Sequence, residues 1–109
     1  MAYDKDLAQR IREALGGTPG LTERAMFGGI GFMVHGNMAC GILNEELMVR
    51  VGPERHGDAL ARPHVRVFDL TGRPMKGWVV VSSQGLASAD SLRAWLDEGV
   101  AYAKSLPEK

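Results

Sequence analysis

The stretch Leu21–Val51, LTERAMFGGIGFMVHGNMACGILNEELMVRV, decides how this chain folds. Short runs of apolar and β-branched residues alternate in it with turn-forming pairs, which is the pattern of consecutive hairpins. Strands are expected at Glu23–Phe27, Ile30–Val34, Met38–Leu43 and Leu47–Val51, with turns at Gly28-Gly29, His35-Gly36-Asn37 and Asn44-Glu45-Glu46. Eight of the 14 glycines lie between Gly16 and Gly41, so sharp turns and close backbone approach are expected there. In the last strand Leu47, Val49 and Val51 face one way and Met48 and Arg50 the other. That alternation predicts an antiparallel sheet with one buried face and one wetter face.

Helical patterns flank this block. From Asp4 to Leu15 the residues Leu7, Ala8, Ile11, Ala14 and Leu15 form an amphipathic stripe that Gly16-Gly17 ends, with Asp4 and Asp6 at the positive end of the helix dipole. On the other side, Gly52-Pro53 opens a short helix over Glu54–Leu60, with proline at a first helical position and Pro63 blocking its continuation. Val65–Phe68 and Trp78–Val81 read as two more strands, joined by the polar loop Asp69–Gly77, which is longer than a tight hairpin needs. Ser88 caps a final helix whose Ala89, Leu92, Trp95, Leu96, Val100, Ala103 and Leu106 form one stripe before Pro107. The order α-β-β-β-β-α-β-β-α, with strands clustered, predicts an α+β fold: two layers, an antiparallel sheet against helices.

Size and composition agree with one globular domain over residues 1–109. At 11.8 kDa the chain should bury about 65% of its unfolded surface, and 45% hydrophobic with 24% charged residues is an ordinary globular balance. Thirteen Lys and Arg offset 13 Asp and Glu, so no global field draws the protein to nucleic acid or anionic membrane. Cys40 is the only cysteine, which excludes an intramolecular disulfide and fits a reducing compartment. The acidic, polar N-terminus does not read as a secretory signal, and no apolar run approaches the roughly 20 residues of a membrane span. A cytoplasmic location without membrane association is expected.

Candidate chemistry is sparse. His35, His56 and His64 lack the spacing of a metal motif, and Cys40 beside Ala39 and Gly41 reads as a small buried hydrophobe. Gly28-Gly29-Ile30-Gly31 matches neither phosphate-binding glycine pattern and opens no helix, so it reads as a turn. No nucleophile and base are brought together by spacing, and neither enzymatic activity nor any cofactor or metal is expected. The charge distribution says more: residues 50–76 carry six basic side chains (Arg50, Arg55, Arg62, Arg66, Arg73, Lys76) against three acids (Glu54, Asp58, Asp69), a local balance of +3. If Arg50, Arg66, Arg73 and Lys76 converge, they form a modest anion-binding patch with Trp78 as a stacking face. The competing reading scatters these arginines over solvent-facing positions and places Trp78 in the core.

Glu23-Arg24-Ala25-Met26-Phe27-Gly28-Gly29 after the first helix, the pair Asn37-Met38, Leu47-Met48-Val49-Arg50-Val51-Gly52 and Arg73-Pro74-Met75-Lys76-Gly77-Trp78 together resemble the TfoX/Sxy N-terminal domain family. The resemblance covers essentially the whole chain. It implies helices packed on an antiparallel sheet, similar to type III secretion chaperones. Full-length members act as regulators of natural competence with a cyclic-AMP-responsive transcription factor and carry a second, C-terminal helical domain, which is not expected in this chain. The family implies no catalytic residues. The expectation is therefore a non-enzymatic regulatory or protein-interaction domain that binds a protein partner, with the transcription machinery as a candidate, through Arg50, Arg66, Arg73, Lys76 and Trp78 or through a sheet edge. Such free edges also offer a route to a homodimer. The alternatives are weak nucleic-acid binding through the basic segment and an enzyme acting on a small anion near Phe27, Arg50 and Trp78.

Overall fold

The computed structural model describes residues 3–26, 28–69 and 75–107. Helix α1 spans Lys5–Leu15; the Asp4 carboxylate accepts the N–H groups of Asp6 and Leu7 at 2.9 and 3.1 Å, satisfying donors that the first turn leaves free. Strands β1 (Leu21–Met26), β2 (Gly29–Val34), β3 (Asn37–Leu43) and β4 (Glu46–Arg50) follow as an antiparallel meander. A two-residue turn joins β2 to β3, with His35 and Gly36 at φ 51° and 83°, the backbone that matches the strands' own twist. Close approach within the sheet is real at Gly29, where an added Cβ would lie 1.9 Å from the Ile42 carbonyl oxygen.

Helix α2 (His56–Leu60), strands β5 (Val65–Val67) and β6 (Trp78–Val81), a 3-10 turn at Ser83–Leu86 and helix α3 (Ala89–Ser105) complete the chain. The sheet order is β1-β2-β3-β4-β6-β5, all neighbours antiparallel. The fold is thus α+β, with six strands and three helices among the described residues in the expected order. Two local expectations fail. Pro53 does not enter α2: it sits in a turn, because Gly52 (φ 89°) donates to the Gly77 carbonyl and the chain must swing round before His56 begins the helix. The Ser83–Leu86 turn was not anticipated at all; Arg10 donates to the Leu86 carbonyl at 2.7 Å, a contact 76 residues apart that no local pattern announces.

The helices cover one face of the sheet. Phe32, Ile42, Leu47 and Val49 point into that layer and meet Ile11 of α1 and Leu96 of α3, all fully buried. Helix α3 presses close: a Cβ on Gly99 would fall 2.5 Å from the Ala39 carbonyl oxygen.

The opposite face departs from the expected wetter surface. Met48 and Val80 point there, yet are only 1% and 3% exposed, and with Phe68 they form a second apolar cluster against which Met38, Leu43 and Trp78 pack. Two things dry it. Phe68, just past the end of β5, tilts against Trp78 with ring centroids 6.0 Å apart, and the methionines lie flat over glycine. A Cβ on Gly41 would stand 2.8 Å from the terminal methyl carbons of both Met38 and Met48.

Candidate functional site

Strand register assembles the site on this outer face. Because Ile30 and Phe32 point inward, Gly31 points out, and the pairing sets Arg24, Gly31, Gly41, Met48, Val80 and Arg66 in one row across the sheet. The row has an arginine at each end and an apolar or bare middle. One outward position further along β4, Arg50 lies opposite Trp78. Its guanidinium carbon is 5.8 Å from the Trp78 ring centroid and 5.4 Å from that of Tyr102 on α3, so two aromatic faces flank the cation.

Gly52 makes this possible. At φ 89° it adopts a backbone that other residues resist, and a Cβ there would meet the Tyr102 ring at 2.5 Å. The Gly77 carbonyl accepts the N–H groups of Val51 and Gly52 at 2.8 and 3.0 Å, which ties the turn carrying Met75 and Lys76 to the same strand end. Arg50 and Trp78 are thereby brought together, with Lys76 on the turn tied to the same strand end. Arg50 has no carboxylate or carbonyl partner among the described residues.

Arg66 shares the face but not the free charge, since its guanidinium is ion-paired with Glu46. Arg73 lies outside the described residues, as do Phe27 and Pro74. Of the five residues singled out in the sequence, Arg50 and Trp78 meet, Lys76 lies exposed on the adjoining turn, Arg66 is neutralised and Arg73 falls outside the description. The two competing readings both hold in part: Trp78 is half-buried against Phe68 and still offers a face to Arg50.

A cleft of about 200 Å3 opens on the outer face, with Met48, Val80, Phe68 and Leu43 as its apolar lining and Glu46, Arg66 and Asp69 at its rim. A second, of about 240 Å3, lies beyond Tyr102 on the helix side, between Val51, Arg55 and α3. There Glu98 is already held by a forked ion pair with Arg62, whose guanidinium stacks 4.5 Å over the Trp95 ring.

The remaining polar groups do not gather. His35, His56 and His64 sit on separate turns and on α2, and among the described residues no cluster of three His, Cys, Asp or Glu side chains is placed to hold a metal ion. Cys40 is fully buried, and desolvation pushes its thiol up to about 12, so it stays protonated and unreactive. No helix among the described residues is long and apolar enough to cross a membrane.

Tyr102 and Phe68 were missed from sequence because both contacts are tertiary; Tyr102 lies off the buried stripe of α3. One signal was present. Met33, Met38 and Met48 all fall on outward positions, whereas the helix-covered core holds no methionine among its described residues.

The residues that carry this arrangement fall within a match to a family model, the TfoX N-terminal domain, over residues 13–103. The chain belongs to the TfoX N-terminal domain family. No curated protein matches it. In this TfoX N-terminal domain the Met48-Val80-Phe68 cluster, the Arg50 stack and the Lys76 turn all lie inside the matched span.

Proposed function

We propose that this TfoX N-terminal domain is a non-enzymatic protein-interaction domain with a regulatory role, acting in the cytoplasm, and that it receives its partner on the outer face of the sheet. The observation that carries this reading is the apolar cluster of Met48, Phe68 and Val80, with Met38, Leu43 and Trp78, on a face that no helix covers. Its centre, Met48, Phe68 and Val80, is itself buried, and what a partner reaches is the half-buried rim of Met38, Leu43 and Trp78 with the exposed Met75 on the adjoining turn, bounded by charge. Methionine suits it, because the unbranched, polarisable side chain reshapes around different partners.

The edges serve this purpose less well: β5 has three residues, and β1 carries Glu23 and Arg24, charges of the kind that discourage strand addition. Nucleic-acid binding is also less well supported, since Arg66 is spent on Glu46 and no extended basic stripe tracks across the face among the described residues. Affinity capture from native extract tests the reading. A partner that binds the wild type should be lost with Met38→Glu and kept with Lys104→Glu on the exposed side of α3. Equal capture by both variants, with both folded by near-ultraviolet circular dichroism, would place docking elsewhere.

A further inference from the structure

Resting on that reading, we propose that the partner of this face is an acidic amphipathic peptide segment, which inserts one apolar side chain into the Met48-Val80-Phe68 cleft and sets a carboxylate in the fork of Arg50. The Arg50 guanidinium carries five N–H donors in one plane. Its two ring neighbours, at 5.8 and 5.4 Å, occupy the space about the group and hold its orientation, while no acceptor among the described residues takes its donors. An arginine fixed in this way loses little side-chain freedom when a carboxylate arrives and makes two parallel charge-assisted hydrogen bonds.

Charge on the rest of the face points the same way. Lys76 is exposed on the turn tethered to Gly52, and Arg24 is exposed at the far end of the outward row, neither with an acidic partner among the described residues. Of the acids on this face, Glu46 is taken by Arg66, and Asp69 stands at the cleft rim. The excess is positive, so the complementary segment is acidic.

Order along the strand completes the match. The cleft runs from Met48 toward Glu46 and Asn44, and Arg50 is the next outward residue of β4 on the other side of Met48. A peptide laid along β4 therefore meets the cleft first and the guanidinium after it, an apolar residue followed by Asp or Glu.

The test is selection from a random-sequence peptide display library on the immobilised protein, followed by calorimetric titration of the selected peptides. Selected sequences should combine a large apolar residue with Asp or Glu nearby. Arg50→Gln should weaken them about 10-fold or more, and Arg50→Lys, which keeps the charge and the stem but not the fork, should recover only part of that loss. Lys104→Glu should leave affinity unchanged. Binders that depend on Met38 but lack acidic residues, or that ignore Arg50→Gln, would overturn the acidic-partner proposal and leave the docking face standing. Binders indifferent to Met38→Glu as well, or no binders at all, would overturn both.

Discussion

The two faces of one sheet are built from different apolar residues, although the same strands supply both. The inner face uses Phe32, Ile42, Leu47 and Val49, shapes with few rotamers, and meets helices α1 and α3. The outer face uses Met38, Met48, Val80, Phe68 and Trp78, and meets no helix among the described residues. Branched and aromatic side chains specify one packing, whereas methionine tolerates many. The contrast separates a surface that must fit one permanent neighbour from one suited to a neighbour that comes and goes.

Substitution should expose that difference as a gradient in stability. Phe32→Ala or Leu96→Ala removes a fully buried side chain from the helix-covered core and should cost about 3–5 kcal/mol in denaturant unfolding. A loss under 1 kcal/mol would mean that the inner face is not the tightly packed one. Gly99→Ala sets two effects against each other: alanine favours the helix by about 1 kcal/mol, but its Cβ would sit 2.5 Å from a β3 carbonyl oxygen. The clash should win, with net destabilisation of about 1–3 kcal/mol. On the outer face, Met38→Leu should change stability by less than about 1.5 kcal/mol and still weaken partner binding, so that stability and binding come apart there and nowhere on the inner face.

The buried thiol gives a pH signature of the inner face. Burial pushes the Cys40 thiol from its ordinary value of 9.0 up to about 12. Below 9.0 both states hold the proton and the native state keeps its full advantage; as pH rises toward about 12 only the unfolded chain releases it, so stability falls. Cys40→Ala should flatten that alkaline decline in melting experiments, and thiol reagents should label the wild type only as fast as it unfolds. The smallest effect is expected at the sheet edge. The Arg12 guanidinium donates to the Glu23 carboxylate at 2.7 and 2.9 Å and holds its pKa below the ordinary value of 4.5. That contribution is present above pH 4.5 and fades as pH falls. The pair is largely exposed, so Glu23→Gln should remove a slight acid-side slope and little else.

Much of this architecture was legible because local chemistry set it. Asp4, Ser88, the His35-Gly36 turn and the alternation of Leu47, Val49 and Val51 each act within a few residues, and the element order follows from them. The candidate site was legible only in part. Arg50 and Trp78 meet across paired strands and the Lys76 turn is tied beside them because the Gly77 carbonyl accepts from Val51 and Gly52, whereas Arg66 is answered by Glu46 from 20 residues away. Phe68 and Tyr102 complete the outer face through contacts made only once the sheet is formed, and alternation alone cannot distinguish a wet outward position from one that a neighbouring strand end has covered.

The methionine methyl groups offer the most direct test of the docking face, because the strand methionines Met33, Met38 and Met48 lie on outward positions and the described helix-covered core has none. Protein labelled at its methionine methyls and at its leucine and valine methyls should be titrated with a selected peptide and followed by NMR. Shifts concentrated at Met33, Met38 and Met48, with the Leu96 and Val100 methyls of α3 unmoved, are the predicted result. Shifts at α3 with the strand methionines silent would contradict it.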